Sequence, residues 1–260
     1  MSLALFVTLF AIGFVGSFIS GLVGIGGSII KYPMLLYIPP LLGVAAYSAH
    51  DVSGISAVQV FFATISGVWA LRRDNLIHYP LVGYMGGAII IGSFAGAYSG
   101  TYLSADTINL VYAILATLAA VMMFVPKKNC EEKPLTDLTF NRPIAVFSAL
   151  LVGIASGIVG AAGAFILVPI MLLILRIPTR ITIASSLAIT FISSIGATTG
   201  KLMAGEVLLW PSAVMVLASI LAAPLGAIVS KKLNTRFLQG VLAALILGTA
   251  VKIWLDFFQT

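Results

Sequence analysis

A short apolar motif occurs twice in this chain and sets the strongest limit on its fold. The stretch SGLVGIGGSIIKYPMLL, at 20–36, returns 136 residues later as SGIVGAAGAFILVPIML, at 156–172. The two copies agree at eight of seventeen positions, which indicates an internal duplication. Both copies interrupt a long apolar run with glycines, which let a helix break and let another backbone approach closely. We therefore predict two homologous halves, each with a broken helical segment.

The composition places these halves in a lipid bilayer. Of the 260 residues 60% are apolar and 8% are charged, and the mean hydropathy is +1.14, which excludes a soluble domain. Most of the apolar segments reach the roughly 20 residues that a helix needs to cross about 30 Å of hydrocarbon, and they lack the alternation of a membrane β-barrel. We therefore predict an all-α polytopic membrane protein. About ten segments are delimited, at 2–20, 22–38, 44–71, 78–103, 107–126, 142–157, 159–175, 180–203, 207–230 and 236–258.

Basic residues give the orientation of these segments. Eleven of the fourteen Lys and Arg residues fall in alternate loops, the pattern of the positive-inside rule. We expect those loops in the cytoplasm and both termini outside. The net charge of +6 therefore reflects topology and predicts no nucleic-acid partner. The eleven are Arg72, Arg73, Lys127, Lys128, Lys133, Arg142, Arg176, Arg180, Lys231, Lys232 and Arg236.

Five segments in each half make the duplication an inverted one. Because five is odd, the second copy must cross the membrane in the opposite sense to the first. Pro80 matches Pro211 and Gly96 matches Gly226 further along the halves. We predict an N-terminal transmembrane repeat at 1–126, a cytoplasmic linker at 127–141 and a C-terminal inverted repeat at 142–260. The single cysteine, in the linker, excludes an intrachain disulfide, and no cofactor or metal motif is present.

The glycine motifs are the first candidate for a binding site. Segments one and two, like six and seven, are either two short crossings or a hairpin whose tip stops inside the membrane. In the hairpin arrangement the tips at 24–28 and 160–164 approach each other near the midplane. Exposed N–H groups there must face protein or a polar cavity, and they can bind an anion. The candidate residues are Gly24, Gly26, Gly27, Ser28, Gly160 and Gly163.

Polar residues inside two corresponding segments are the second candidate. As a cluster facing the glycine tips they would hydrogen-bond anion oxygens, whereas the simpler alternative is packing between membrane helices. The candidates are Ser53 and Gln59 in segment three, and Ser185, Ser186, Thr190 and Ser194 in segment eight.

Three ionisable residues need an explanation within the apolar runs. Lys31 would cost about 2.5 to 3.5 kcal/mol at mid-bilayer. It either neutralises a bound dianion, reaches the outer interface, or pairs with Asp51. His50 with Asp51 as its partner could couple anion movement to protons. The alternative is that Asp51 caps the third helix and His50 lies among the lipid headgroups.

The motif GLVGIGGSIIKYP near the start of the first half, its counterpart in the second and the two-fold repeat resemble the TauE/SafE family of sulfite exporters. The resemblance covers nearly the whole chain. It implies export of a small sulfur-containing anion, such as sulfite, thiosulfate or sulfoacetate, across the bacterial cytoplasmic (inner) membrane, with both termini extracytoplasmic. The chain departs from the family pattern in GAAGAF of the second copy, and in His50 and Asp51 where a neutral Ser/Thr pair is usual.

These observations predict a secondary transporter that works by alternating access, and proton coupling through His50 is one of the two interpretations of that residue. Its partners are a small anion and the lipid bilayer, and a homo-oligomer is compatible with the sequence. A passive anion channel is the alternative. An intramembrane enzyme using His50 and Ser53 is disfavoured, because their spacing along one segment does not reproduce the geometry of a nucleophile and its base.

Overall fold

The computed structural model describes residues 2–23, 28–71, 76–124, 138, 140–161, 163–234 and, beyond these, 237–238, 240–241, 243–244, 247–248 and 251. Within these ranges the chain forms helices and no strand. The helices are α1 (Leu3–Val23), α2 (Ser28–Leu41), α3 (Ala49–Leu71), α4 (Tyr79–Ser99), α5 (Ala105–Phe124), α6 (Arg142–Val159), α7 (Ala164–Leu173), α8 (Thr179–Met203) and α9 (Leu209–Lys232).

Seven of these helices are long and apolar enough to cross a membrane, which confirms the all-α polytopic class. The other two, α2 with 14 residues and α7 with 10, extend about 21 Å and about 15 Å, short of the about 30 Å of hydrocarbon. They correspond to segments two and seven. The tenth segment, at 236–258, lies largely outside the described residues.

Each duplicated motif joins a full-length helix to a short one. α1 runs for 21 residues and α6 for 18, so neither pair consists of two short crossings. The helix α6 ends where Gly160 adopts φ 72°, and α7 begins after Gly163 at φ 75°. Both angles lie in the left-handed region that glycine adopts at little cost. The glycines therefore reverse the chain only after α6 has formed five turns.

Close helix crossings hold the bundle together at small residues. At the crossing of α4 and α6, a Cβ added to Gly96 would lie 2.9 Å from Ile154 Cα, and one added to Gly157 would lie 2.8 Å from Ala97 N. No side chain fits there, so the two backbones touch. Membrane helices, which gain little from burying apolar surface against each other, associate through such contacts.

The crossing of α1 and α9 is built in the same way. A Cβ on Gly21 would lie 2.8 Å from Ala227 N, and one on Gly226 would lie 2.9 Å from Leu22 N. Gly21 and Gly157 are equivalent in the sequence duplication, as are Gly226 and Gly96. Between these two pairs of helices lie α3 and α8, which contact each other, with α3 also against α9 and α8 against α4.

Candidate functional site

Lys31 lies in the interior of the protein. Its side chain is 0% exposed and rises from α2 along a gap that Gly16 of α1 leaves open, since a Cβ on Gly16 would lie 2.7 Å from Lys31 Cδ. The ammonium Nζ lies 3.5 Å from Ser17 Oγ. Two predictions for Lys31, a side chain reaching the interface and a pair with Asp51, are therefore wrong. The side chain is fully buried with its ammonium beside Ser17, so it does not reach the protein surface, and Asp51 bonds to Ser48 instead.

A hydrogen-bonded cluster surrounds the Lys31 ammonium. Gln59 Nε2 donates to Ser219 Oγ at 2.7 Å and to Ser17 Oγ at 3.0 Å. Ser17 donates to Ser219 at 2.7 Å, and Ser219 donates to the Met215 carbonyl at 2.6 Å. Four helices thus contribute to one polar cluster: α1, α2, α3 and α9. We call Ser17, Lys31, Gln59 and Ser219 the lysine cluster.

In the described part of the chain, no acidic side chain pairs with the Lys31 amine of the lysine cluster. Among the residues that the structure describes, the ion pairs are His50–Glu206 and Lys201–Glu206, and Lys31 belongs to neither. Two further buried atoms on α3, Gln59 Oε1 and Ser56 Oγ, have no hydrogen-bond partner in the described part of the chain. A buried ammonium and buried polar atoms are costly unless they are paired. The Lys31 ammonium and the Ser56 hydroxyl are thus two buried donors whose hydrogen-bonding capacity is not fully used among the described residues.

The predicted hydroxyls of α8 are buried, but most of them bond within their own helix. Ser186 donates to the Ile183 carbonyl at 3.0 Å, Thr190 to Ser186 at 2.6 Å and Ser194 to Phe191 at 2.7 Å. The packing alternative accounts for these bonds, and a role as an anion lining stays a prediction.

Ser185 and Ser193, also on α8, have different surroundings. Ser185 Oγ accepts from the backbone N–H of His78 at 3.0 Å, which ties α8 to the start of α4. Ser193 Oγ is buried without a hydrogen-bond partner among the described residues. A donor is therefore still available on α8 one turn beyond Thr190.

The second glycine motif lies against the beginning of α3. A Cβ on Gly160 would lie 2.9 Å from Ser53 Cα, and one on Gly163 would lie 2.9 Å from Ser156 Oγ. Ser53 is one turn into α3, so the motif lies nearer one end of that helix than its middle. Of the first motif, Gly24, Gly26 and Gly27 lie outside the described residues, as does the side chain of Ser28. The meeting of the two motifs near the midplane therefore stays a prediction.

Asp51 has a local role at the start of α3. Its Oδ2 accepts from the Ser48 backbone N–H at 2.9 Å and from the Ser48 hydroxyl at 2.8 Å, while Ser48 Oγ accepts from the Asp51 N–H at 3.2 Å. This reciprocal pattern is a capping box. The alternative in which Asp51 caps the helix is confirmed, and its predicted pairing with His50 is wrong, because His50 Nδ1 bonds to a different carboxylate.

The partner of His50 is instead Glu206, 156 residues away in the sequence. His50 Nδ1 lies 2.7 Å from Glu206 Oε1, and Lys201 Nζ donates to the other carboxylate oxygen at 2.6 Å. Neither Glu206 nor Lys201 was among the predicted site residues. A signal was present in the sequence: Lys201 interrupts an apolar segment, and an acid follows it five residues later.

Comparisons with known proteins agree with a membrane protein. A sequence model of the family described as "Sulfite exporter TauE/SafE" matches residues 9–253. "Probable membrane transporter protein YunE" of Bacillus subtilis is 23% identical over 252 residues, which cover 89% of this chain and 90% of the relative. A "Probable membrane transporter protein" of Xylella fastidiosa strain 9a5c is 30% identical over 192 residues, 71% of this chain and 69% of the relative. No solved structure gives a significant match.

Proposed function

We propose, since the chain belongs to the TauE/SafE sulfite exporter family, that it is a secondary transporter for a small sulfur-containing anion. It is a multi-pass membrane protein, and its relatives bear the names of membrane transporters. Candidate substrates are sulfite, thiosulfate and sulfoacetate, which carry several oxygens around one small centre. The proposed direction is export across the bacterial cytoplasmic membrane by alternating access, without chemical change to the anion.

The observation that carries this proposal is the buried ammonium of Lys31, which pairs with no acid among the residues that the structure describes. A protein that kept such a charge for stability alone would pair it with a carboxylate, as it does with Lys201 and Glu206. Here the cluster offers hydroxyls and an amide instead. These groups stabilise the ammonium weakly when the site is empty, so an anion can bind and also leave. A fixed carboxylate would compete with the anion for the same charge.

The contacts between helices support the inverted repeat on which alternating access depends. The proposed halves are 1–126 and 142–260, with the linker at 127–141 between them. In the duplication α1 corresponds to α6, and α9 corresponds to α4. The α1–α9 crossing is therefore equivalent to the α6–α4 crossing. The four glycines at these crossings correspond in the same way. Each crossing thus combines one helix from each half, and the lysine cluster lies beside one crossing only. In the proposed orientation, both termini are extracytoplasmic and the basic loops are cytoplasmic.

A flux assay with a matched control tests the role of Lys31. Purified protein is reconstituted in liposomes that contain ³⁵S-labelled thiosulfate or sulfite, and release is followed over time. We expect Lys31→Met to abolish release. Lys232→Met removes the same charge from an exposed position at the end of α9 and should release the anion at the wild-type rate. Wild-type release by Lys31→Met would move the binding site away from the lysine cluster.

Ligand specificity is measured by thermal unfolding in detergent. An anion that binds only the folded state raises the melting temperature, by an amount that grows with its concentration over its Kd. Sulfite, thiosulfate, sulfoacetate, sulfate, phosphate and acetate are compared for the wild type and Lys31→Met. We expect a sulfur oxoanion to stabilise the wild type alone. Stabilisation by none of the sulfur anions would contradict the proposed substrate class.

Trans-stimulation separates a carrier from a channel. In a carrier, unlabelled anion on the far side accelerates the exit of labelled anion, because the loaded site returns faster than an empty one. A passive channel lacks this response.

Ser53→Ala tests the enzyme alternative. Because the Ser53 hydroxyl donates to the His50 carbonyl at 2.8 Å, we expect this variant to keep a reduced but measurable flux.

A further inference from the structure

Three ionisable side chains meet at one end of the bundle, away from the lysine cluster. His50 lies in the first turn of α3, Lys201 in the last turn of α8, and Glu206 in the loop before α9. The Lys201 side chain is 0% exposed, that of Glu206 is 12% exposed and that of His50 is 28% exposed. One carboxylate therefore connects a fully buried ammonium to an imidazole that solvent can reach.

In the group formed by His50, Lys201 and Glu206, the imidazole of His50 is the site for an exchangeable proton. Lys201 and Glu206 neutralise each other, so the group is neutral when His50 is neutral and carries one positive charge when His50 is protonated. The Nδ1–H bond to Glu206 persists in both states, since a carboxylate can only accept. Histidine is the side chain that ordinarily changes charge between about pH 5 and about pH 8.

No other charged side chain competes for the His50 imidazole in the described part of the chain. Asp51, its neighbour on α3, is held by Ser48. From α8 the facing group is Lys201, and from the loop before α9 it is Glu206. At the end of α4, Gly100 approaches the Lys201 ammonium, where an added Cβ would lie 3.5 Å from Nζ.

The same end of α3 is in contact with the glycine motif and continues toward the lysine cluster. Ser53 donates to the His50 carbonyl and lies against Gly160. A Cβ on Gly54 would lie 2.9 Å from the Glu206 carbonyl carbon, so the Glu206 backbone rests directly on α3. Gln59 of the lysine cluster is two turns further along the same helix. A change in the bond between His50 and Glu206 therefore acts on the helix that carries part of the anion site.

From this geometry we infer that His50, Glu206 and Lys201 form the proton-binding site that couples anion movement to protons. The inference rests on the proposed transport function and assigns its coupling ion. His50 takes up and releases the proton at its exposed edge. Glu206 holds the imidazole, and Lys201 holds the Glu206 carboxylate in place.

The test is thiosulfate flux into liposomes with an imposed pH gradient, at about pH 5.5 and about pH 7.5, the range in which histidine changes charge. Thiosulfate is used rather than sulfite, because sulfite itself gains a proton in this range. We expect wild-type flux to change several-fold between these conditions. His50→Gln, whose amide can still donate to Glu206, should give a flux that is independent of pH. Glu206→Gln removes the carboxylate that bonds to the imidazole and should change the pH profile. His78→Asn alters the other histidine of the chain and should keep the wild-type profile.

A second readout does not depend on flux. Thiosulfate added to weakly buffered protein in detergent should change the pH reported by a dye for the wild type and not for His50→Gln, with both proteins stabilised by the anion in thermal unfolding. A wild-type pH profile in His50→Gln overturns the coupling site, as does anion binding by the wild type without proton exchange. Failure of the wild type to bind or move thiosulfate or sulfite at any pH overturns the proposed function as well.

Discussion

The gap that Gly16 leaves for Lys31 predicts a strong energetic coupling between these two positions. In Gly16→Ala, the new methyl group would lie 2.7 Å from Lys31 Cδ, 3.4 Å from Cε and closer still to Cγ. The Cγ atom is near the α2 backbone, so it cannot rotate away as the end of a flexible side chain would. The substitution must therefore displace either α2 or the Lys31 side chain from the lysine cluster.

The size of the coupling follows from two opposing effects. Overpacking of this kind costs about 1 to 3 kcal/mol. Replacing a helical glycine by alanine gains about 0.8 to 1.0 kcal/mol in the free energy of unfolding. Gly16→Ala alone should therefore lie between neutral and about 2 kcal/mol destabilising. In a Lys31→Ala background the clash is absent, and the same substitution should stabilise the protein by about 1 kcal/mol. The expected coupling energy is about 1 to 3 kcal/mol.

A double-mutant cycle in detergent measures this coupling. The free energy of unfolding is obtained by denaturant titration for the wild type, Gly16→Ala, Lys31→Ala and the double variant. Gly83→Ala serves as the matched control, because no atom lies within 4 Å of a Cβ at Gly83 of α4. Its effect should add to that of Lys31→Ala within about 0.5 kcal/mol. A Gly16–Lys31 coupling equally close to zero would refute the placement of Lys31 against α1.

Three further predictions concern other parts of the bundle. Gly96→Ala should lower the melting temperature by separating α4 from α6. Gly87→Ala, on the same helix but with no atom of a neighbouring element within 4 Å of the added Cβ, should leave the melting temperature unchanged or raised. Equal effects of the two variants would contradict the close crossing. Gly163→Ala should destabilise more than Gly205→Ala in thermal unfolding, since both have φ above 70° but only Gly163 is crowded, with Val152 Cγ1 2.8 Å from the added Cβ. Burial lowers the pKa of His78, whose Nδ1 caps α4 by accepting from Leu81 N. As pH falls below about 6.5, His78 binds a proton in the unfolded chain more readily than in the folded protein, so the free energy of unfolding should fall. An asparagine can cap the helix without titrating, so the melting temperature of His78→Asn should lose this part of the pH dependence.

Two of the four residues of the lysine cluster could be predicted from the sequence. Lys31 and Gln59 are identifiable because a polar residue in an apolar segment is costly and needs a reason. Ser17 and Ser219 look like ordinary small residues of membrane helices, and each becomes part of a site only where α1 meets α9. A weak signal exists for Ser17, which lies in a run of small residues at three- and four-residue spacing: Gly13, Gly16, Ser17, Ser20 and Gly21.

The charged group at the start of α3 shows the limit of neighbour-based reasoning. His50 and Asp51 are adjacent in sequence, so a pair between them was the natural expectation. On a helix, consecutive residues point in directions about 100° apart, and Asp51 turns back to Ser48 while His50 turns toward the loop before α9. No local pattern indicates that Glu206 folds back onto this helix.

The sequence by itself determined the membrane location, the helical class and the approximate limits of the helices. These depend on the free energy of placing each segment in lipid, which is a sum over neighbouring residues. Only the tertiary structure decided which buried polar groups meet, because a hydroxyl or an ammonium inside a bundle is paired by helices distant in the chain. Lys31 next to Ser17, and Glu206 between His50 and Lys201, are set by how closely glycines let the helices approach.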